Sequence, residues 1–134
     1  TNASQGYVVT VQADNNLLSS TGADIDGFSN GTDTNTPVTW AAPTGTVGEE
    51  NTYGHWGLTS DDATTTRASQ FGSDEWVSVS STTPRIVMSN DGPANGTGTG
   101  VGETRVGYKV QITGLQEAGD DYQAILTYIA TPTF

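Results

Sequence analysis

The last fifteen residues, 120–134 (DDYQAILTYIATPTF), put their apolar side chains to use in only one regular conformation. Tyr122, Ala124, Leu126, Tyr128 and Ala130 fall at every second position, the period of a β-strand, so all five lie on one face. Ile125 and Ile129 fall on the other face. A strand that is apolar on both faces predicts a central or covered position in a sheet rather than an edge. Pro132 has no N–H to give a neighbour and predicts the end of regular pairing.

The same period recurs upstream. Tyr7, Val9, Val11 and Ala13 share one face of a first strand, and Tyr108, Val110 and Ile112 share one face of a strand within 104–113. Shorter candidates are 37–40, 51–58 with its larger rings inward, 71–80 around Trp76-Val77-Ser78-Val79, and 84–88. Residues 17–26 form a short strand or an irregular crossing. Asp14-Asn15-Asn16, Asp26-Gly27 and Asn30-Gly31 read as turns. Residues 41–50 read as loop, and 60–69 as a loop or a single helical turn. Residues 90–102 (NDGPANGTGTGVG) read as the most flexible segment. Seven to nine short strands, mostly antiparallel, with no helical periodicity, predict an all-β chain. Uneven strand lengths and long Gly/Asn/Thr-rich loops favour a β-sandwich over a closed barrel. The 134 residues are read as one domain, 1–134.

Composition tests that reading. Val, Ile, Leu and Phe supply only 24 of the 134 residues, and the net charge is -11. Those values fall on the disordered side of the usual compositional line. The apolar residues are gathered into alternating runs, however, and three Trp and five Tyr add large side chains for a core. Four basic residues against fifteen acidic ones give no patch to displace phosphate counterions, so nucleic acid is not an expected partner. The same balance disfavours anionic membrane surfaces. No cysteine is present, hence no disulfide or thiolate chemistry. No apolar run reaches the roughly 18 residues of a membrane helix. A start at Thr1 predicts a processed mature protein or part of a longer one.

Chemistry-bearing residues are few. His55 is the single histidine, and no Gly-x-Ser-x-Gly turn accompanies it. A hydrolase built on His55 with Asp61 is an enzymatic alternative, and paired carboxylates of a glycosidase are another. The expectation is that the chain is not an enzyme. Asp24, Asp26, Asn30 and Asp33 gather hard oxygen ligands around a glycine and are the candidate calcium ligands, although the spacing is not that of an EF-hand loop. Asp61-Asp62 and Asp120-Asp121 rank behind them. Trp40, Trp56 and Trp76, with Tyr53, are candidates for stacking on sugar rings; the competing reading is that they fill the core. Asn2, Asn30 and Asn95 head Asn-X-Ser/Thr sequons and are candidate glycosylation sites.

Two stretches carry a resemblance. Residues 2–11 (NASQGYVVTV) are similar to the opening strand of secreted β-proteins of bacteria, many of them uncultured, and residues 120–128 (DDYQAILTY) resemble their closing strand. The closing strand is also similar to that of WxL cell-surface domains, but Tyr128-Ile129-Ala130 stands where Trp-x-Leu would fall. The resemblance covers about a fifth of the chain. It implies an extracellular, all-β envelope or matrix protein that is not an enzyme. The lack of a catalytic signature, the acidic Thr-rich composition and the strand-like ends add the expectation of a subunit of a cell-surface layer, filament or matrix. Its expected partners are copies of itself or other envelope proteins, assembled by strand pairing through Tyr7, Val9 and Val11 of the first strand and Tyr122, Leu126, Tyr128 and Phe134 of the last. A carbohydrate-binding module is the alternative.

Overall fold

The computed structural model describes residues 2–62, 71–119 and 121–134. Among these residues ten strands form: β1 (Tyr7–Ala13), β2 (Leu17–Ser19), β3 (Asp24–Gly27), β4 (Val38–Thr39), β5 (Gly54–Ser60), β6 (Glu75–Ser78), β7 (Arg85–Asn90), β8 (Val106–Ile112), β9 (Tyr122–Gln123) and β10 (Leu126–Pro132). A 3-10 turn at Glu50–Thr52 precedes β5. Among the described residues no helix is long and apolar enough to cross a membrane. The architecture is all-β and sandwich-like, as the alternating runs predict.

One sheet has the order β10-β1-β7, all antiparallel. The other runs β4-β6-β5-β3-β2-β9, with β8 on the free side of β5. All of these pairs are antiparallel except β3 with β5, which are parallel. The core lies between the sheets. Val11 and Ala13 of β1 and Val87 of β7 meet Trp56 and Leu58 of β5, Ile25 of β3, Val77 of β6 and the adjacent Val79. Leu58 and Val11 are wholly buried, which places them among the strongest contributors to a core of so few aliphatic residues. Strand β5 is buried on both faces. Its second face carries His55 and Gly57 against a cover of Phe28 and Trp40.

The closing segment departs from expectation twice. It is two strands, because the chain changes sheets at Ala124-Ile125: β9 pairs with β2 and β10 with β1. Asp14 holds the corner, donating its N–H to the Ile125 carbonyl (3.1 Å) and accepting the Ile125 N–H on Oδ1 (2.8 Å). And β10 is an edge, not a central strand, exposed along nearly its whole length. Among the described residues its sheet has three strands, and both the outer face of β10 and most of its inner face are exposed.

The Asp26-Gly27 dipeptide is also not a turn but the end of β3. Gly27 is required there by close approach: a Cβ would lie 2.4 Å from Ser78 Oγ and 2.6 Å from Asp33 Oδ1. Asn30-Gly31, with positive φ at both residues, is a turn as read. Most of the loop expected at 60–69 lies outside the described residues, apart from Ser60, Asp61 and Asp62.

Candidate functional site

The feature that stands out is one long side of the sandwich, where β10 and β8 run beside each other as the outermost strands of the two sheets. Directly opposed residues of an antiparallel pair share a face. On β10, Leu126, Tyr128 and Ala130 oppose Ala13, Val11 and Val9, so they face the core side. On β8, Tyr108, Val110 and Ile112 oppose Leu58, Trp56 and Gly54, so they too face the core side. Yet Val110, Ile112 and Tyr128 are about half exposed, at 49%, 55% and 48%. A short hydrogen bond between the Tyr108 and Tyr128 hydroxyls links the two strands across this margin.

The backbone along both strands is open as well. Ile125 and Thr133 point their peptide groups at the β1 side, through bonds to Asp14 and to Gln5 and Gly6. Alternation then turns the peptides of Leu126, Tyr128 and Ala130 outward, along with the Pro132 carbonyl. By the same logic Thr113, bonded to Tyr53, and Arg105, bonded to Asp61, fix the parity of β8. The peptides of Val106, Tyr108, Val110 and Ile112 turn away from β5. No described strand pairs with either edge. Natural edges are usually blunted by charge, proline or a bulge. Residues 122–134 contain no charged side chain, and Pro132 interrupts only the end.

The opposite edge of the three-stranded sheet is treated differently. Ser89 of β7 donates its N–H to the buried Asp62 carboxylate (2.8 Å), and the Val87 carbonyl accepts from Ser60 Oγ (2.5 Å). Side chains at the end of β5 and just beyond it thus occupy peptide groups that another strand would need. Among the described residues the contrast is between a β7 edge met by side chains and a β10 edge left free.

Of the expected assembly residues, Tyr128 and Phe134 are exposed, Leu126 and Tyr122 are half-buried, and Tyr7, Val9 and Val11 sit on β1. Strand β1 lies between β10 and β7, so neither of its edges is available, and the open edge of that sheet is β10. Tyr7 instead holds the glycine-rich segment, donating from its hydroxyl to the Val101 carbonyl (2.6 Å). Reading β8 into the site was beyond the alternation pattern, which marks the apolar face of Tyr108, Val110 and Ile112 but not whether another strand covers it.

The candidate calcium ligands do not converge. Asp24 and Asp26 lie on one face of β3 and both accept from Asn16 Nδ2, at 2.8 and 2.9 Å. Burial, and then the neighbouring Asp24, hold the Asp26 carboxyl above its ordinary range. Asp33 accepts from Ser78 Oγ, and Asn30 Oδ1 faces the Thr44 N–H. Among the described residues no three His, Cys, Asp or Glu side chains form a metal-holding group. Asp61 binds the Arg105 N–H and the Thr104 hydroxyl, which keep its carboxyl below the usual range. Asp62 is committed to β7, and Asp120 lies outside the described residues.

The three tryptophans differ in burial and surroundings. Trp56 is a core residue, 3% exposed. Trp40 stacks on Phe28 at 4.6 Å between ring centres, while the Lys109 ammonium lies over its ring at 4.6 Å. Trp76 meets Trp40 edge-on and is also approached by Lys109. Trp40 and Trp76 are half-buried, and part of their ring surface is taken up by each other, by Phe28 and by the Lys109 ammonium. His55 is fully buried in the same cluster; its Nδ1 accepts the Asn30 N–H (3.2 Å), and burial pushes its pKa down. Asp61 is six residues along β5, about 20 Å at strand rise, so the two do not meet. Of the sequon asparagines, Asn2 and Asn95 are exposed and Asn30 is half-buried.

No protein-family model, no curated protein and no solved structure matches the chain.

Proposed function

We propose that this chain is a structural subunit of an extracellular filament, layer or matrix, assembled through the edge of its sheets. One observation carries the reading: the β10 edge is exposed, uncharged and unpaired among the described residues, in a chain whose net charge is -11. An edge of this kind is a template for another strand. A protein that had to remain dispersed would be expected to place some of its fifteen acidic residues there. The acidic composition and the resemblance of both terminal strands to secreted surface proteins support the extracellular setting.

Negative-stain electron microscopy of the concentrated protein tests the proposal. Ordered filaments or sheets are the expected result, with or without a calcium chelator, since the expected ligands do not converge. Uniform 13.9 kDa particles at every concentration would sink it.

A further inference from the structure

We infer that the first assembly step is an isologous dimer in which β10 pairs antiparallel with β10 of a second copy, extending the three-stranded sheet to six strands. This deepens the structural-subunit reading and rests on it.

Three observations select a second copy as the occupant. First, the outward peptides of Leu126, Tyr128 and Ala130 each offer both an N–H and a C=O. An antiparallel strand of the same polarity pattern satisfies them reciprocally, as a two-fold axis requires. Second, side chains opposed across such a seam share a face. The partner's strand would therefore aim its own apolar row over Tyr108, Val110 and Ile112, the core-side residues of β8 that the sandwich leaves half exposed. The same cover is returned to the partner, so one seam closes the open margin of both copies. Third, the seam is free of charge. Residues 122–134 carry none, and β8 carries only Lys109, whose ammonium lies over Trp40 and Trp76 on its other face. Two chains of net charge -11 repel across most of their surfaces, and this side lacks the acidic residues that would keep like copies apart. A basic or acidic partner would find no complementary charge on these strands. The closed β7 edge leaves β10 as the free edge of its sheet among the described residues.

Sedimentation velocity across a concentration series tests the dimer on the intact chain. The wild type is expected to double its 13.9 kDa mass as concentration rises. Ala130→Pro removes an outward N–H while leaving the peptides bonded to β1 in place, and is expected to raise the dissociation constant at least tenfold. Ile129→Asp, a second variant at an exposed outer-face position, sets two like charges near the axis and is expected to do the same. Far-UV circular dichroism checks that each variant keeps its strand signal. A wild type that stays monomeric at millimolar concentration overturns the dimer. Filaments that persist unchanged in both folded variants also overturn it, while leaving the structural-subunit reading standing. A monomer that forms no filaments under any condition removes both.

Discussion

The hydroxyls of Tyr108 and Tyr128 are hydrogen-bonded to each other across the margin of the sandwich, joining the outermost strand of one sheet to the outermost strand of the other. Burial, and then the bond to Tyr128, hold the Tyr108 phenol well above its ordinary range, so it stays neutral in any ordinary buffer. The two rings act as a strut where a strand is missing.

Because each hydroxyl is the other's partner, Tyr108→Phe and Tyr128→Phe are expected to cost about 0.5–1.5 kcal/mol each. The double variant should cost little more than either alone, since the second change removes a partner already lost. Urea unfolding of the four proteins measures this, and fully additive costs would show that the hydroxyls do not depend on each other.

Leu58 and Ile125 separate core from edge. Leu58 is wholly buried, so Leu58→Ala is expected to cost about 2–5 kcal/mol, from lost transfer energy and the cavity left behind. Ile125 is 69% exposed, so Ile125→Ala should stay within about 0.5 kcal/mol in dilute protein. Comparable losses at the two sites in dilute solution would contradict this difference in burial.

Closure of the β7 edge depends on Asp62. Replacement by alanine leaves the Ser89 N–H buried and without its acceptor, at a cost of about 1–3 kcal/mol. Asp62→Asn keeps an acceptor oxygen and should retain most of that stability. Amide hydrogen exchange at Ser89 reports the bond directly: the alanine variant is expected to exchange faster, and an unchanged rate would show that the carboxylate does not protect it.

Acid stability should carry the mark of His55. Burial lowers its pKa in the folded state below the 6.5 of an exposed histidine. On acidification below about 6.5 the unfolded chain takes up a proton that the folded chain does not, so stability falls, by at most ~1.4 kcal/mol per pH unit. The fall ends at the folded-state pKa, below which both states are protonated. His55→Asn, which keeps an acceptor near Nδ1, is expected to be less stable overall but to lose this slope. Thermal midpoints from pH 7 downward decide it, and an identical slope in the variant would assign the dependence to the acidic residues instead. Asp26 works in the opposite sense, because its raised pKa adds stability at low pH that is lost as pH climbs through it.

Lys109 is the lid of the Trp40–Trp76 pair. Lys109→Ala is expected to cost about 0.5–1 kcal/mol and to raise acrylamide quenching of tryptophan fluorescence. The buried Trp56 should remain shielded in both proteins. Quenching that does not change on removal of the ammonium would argue that it does not cover the rings.

Alternation by itself determined the all-β class, the placement of most strands and the inward rows of β1, β8 and β10, because a period of two follows from strand geometry alone. The missing N–H of Pro132 marked the end of the assigned strand, although Thr133 adds one more pair of backbone bonds, to Gln5 and Gly6. What it could not determine is which strand lies beside which. That depends on contacts between residues far apart in the chain, such as Asp14 with Ile125 and Asp62 with Ser89. The apolar faces of β10 promised a central strand, and pairing with β1 alone made it an edge. The acidic residues at 24, 26 and 33 looked like one cluster, and the fold turned Asp33 to Ser78 while Asn16 took Asp24 and Asp26. Residue type and period belong to the sequence; exposure, and with it the candidate site, belongs to the neighbours that the tertiary structure supplies or leaves out.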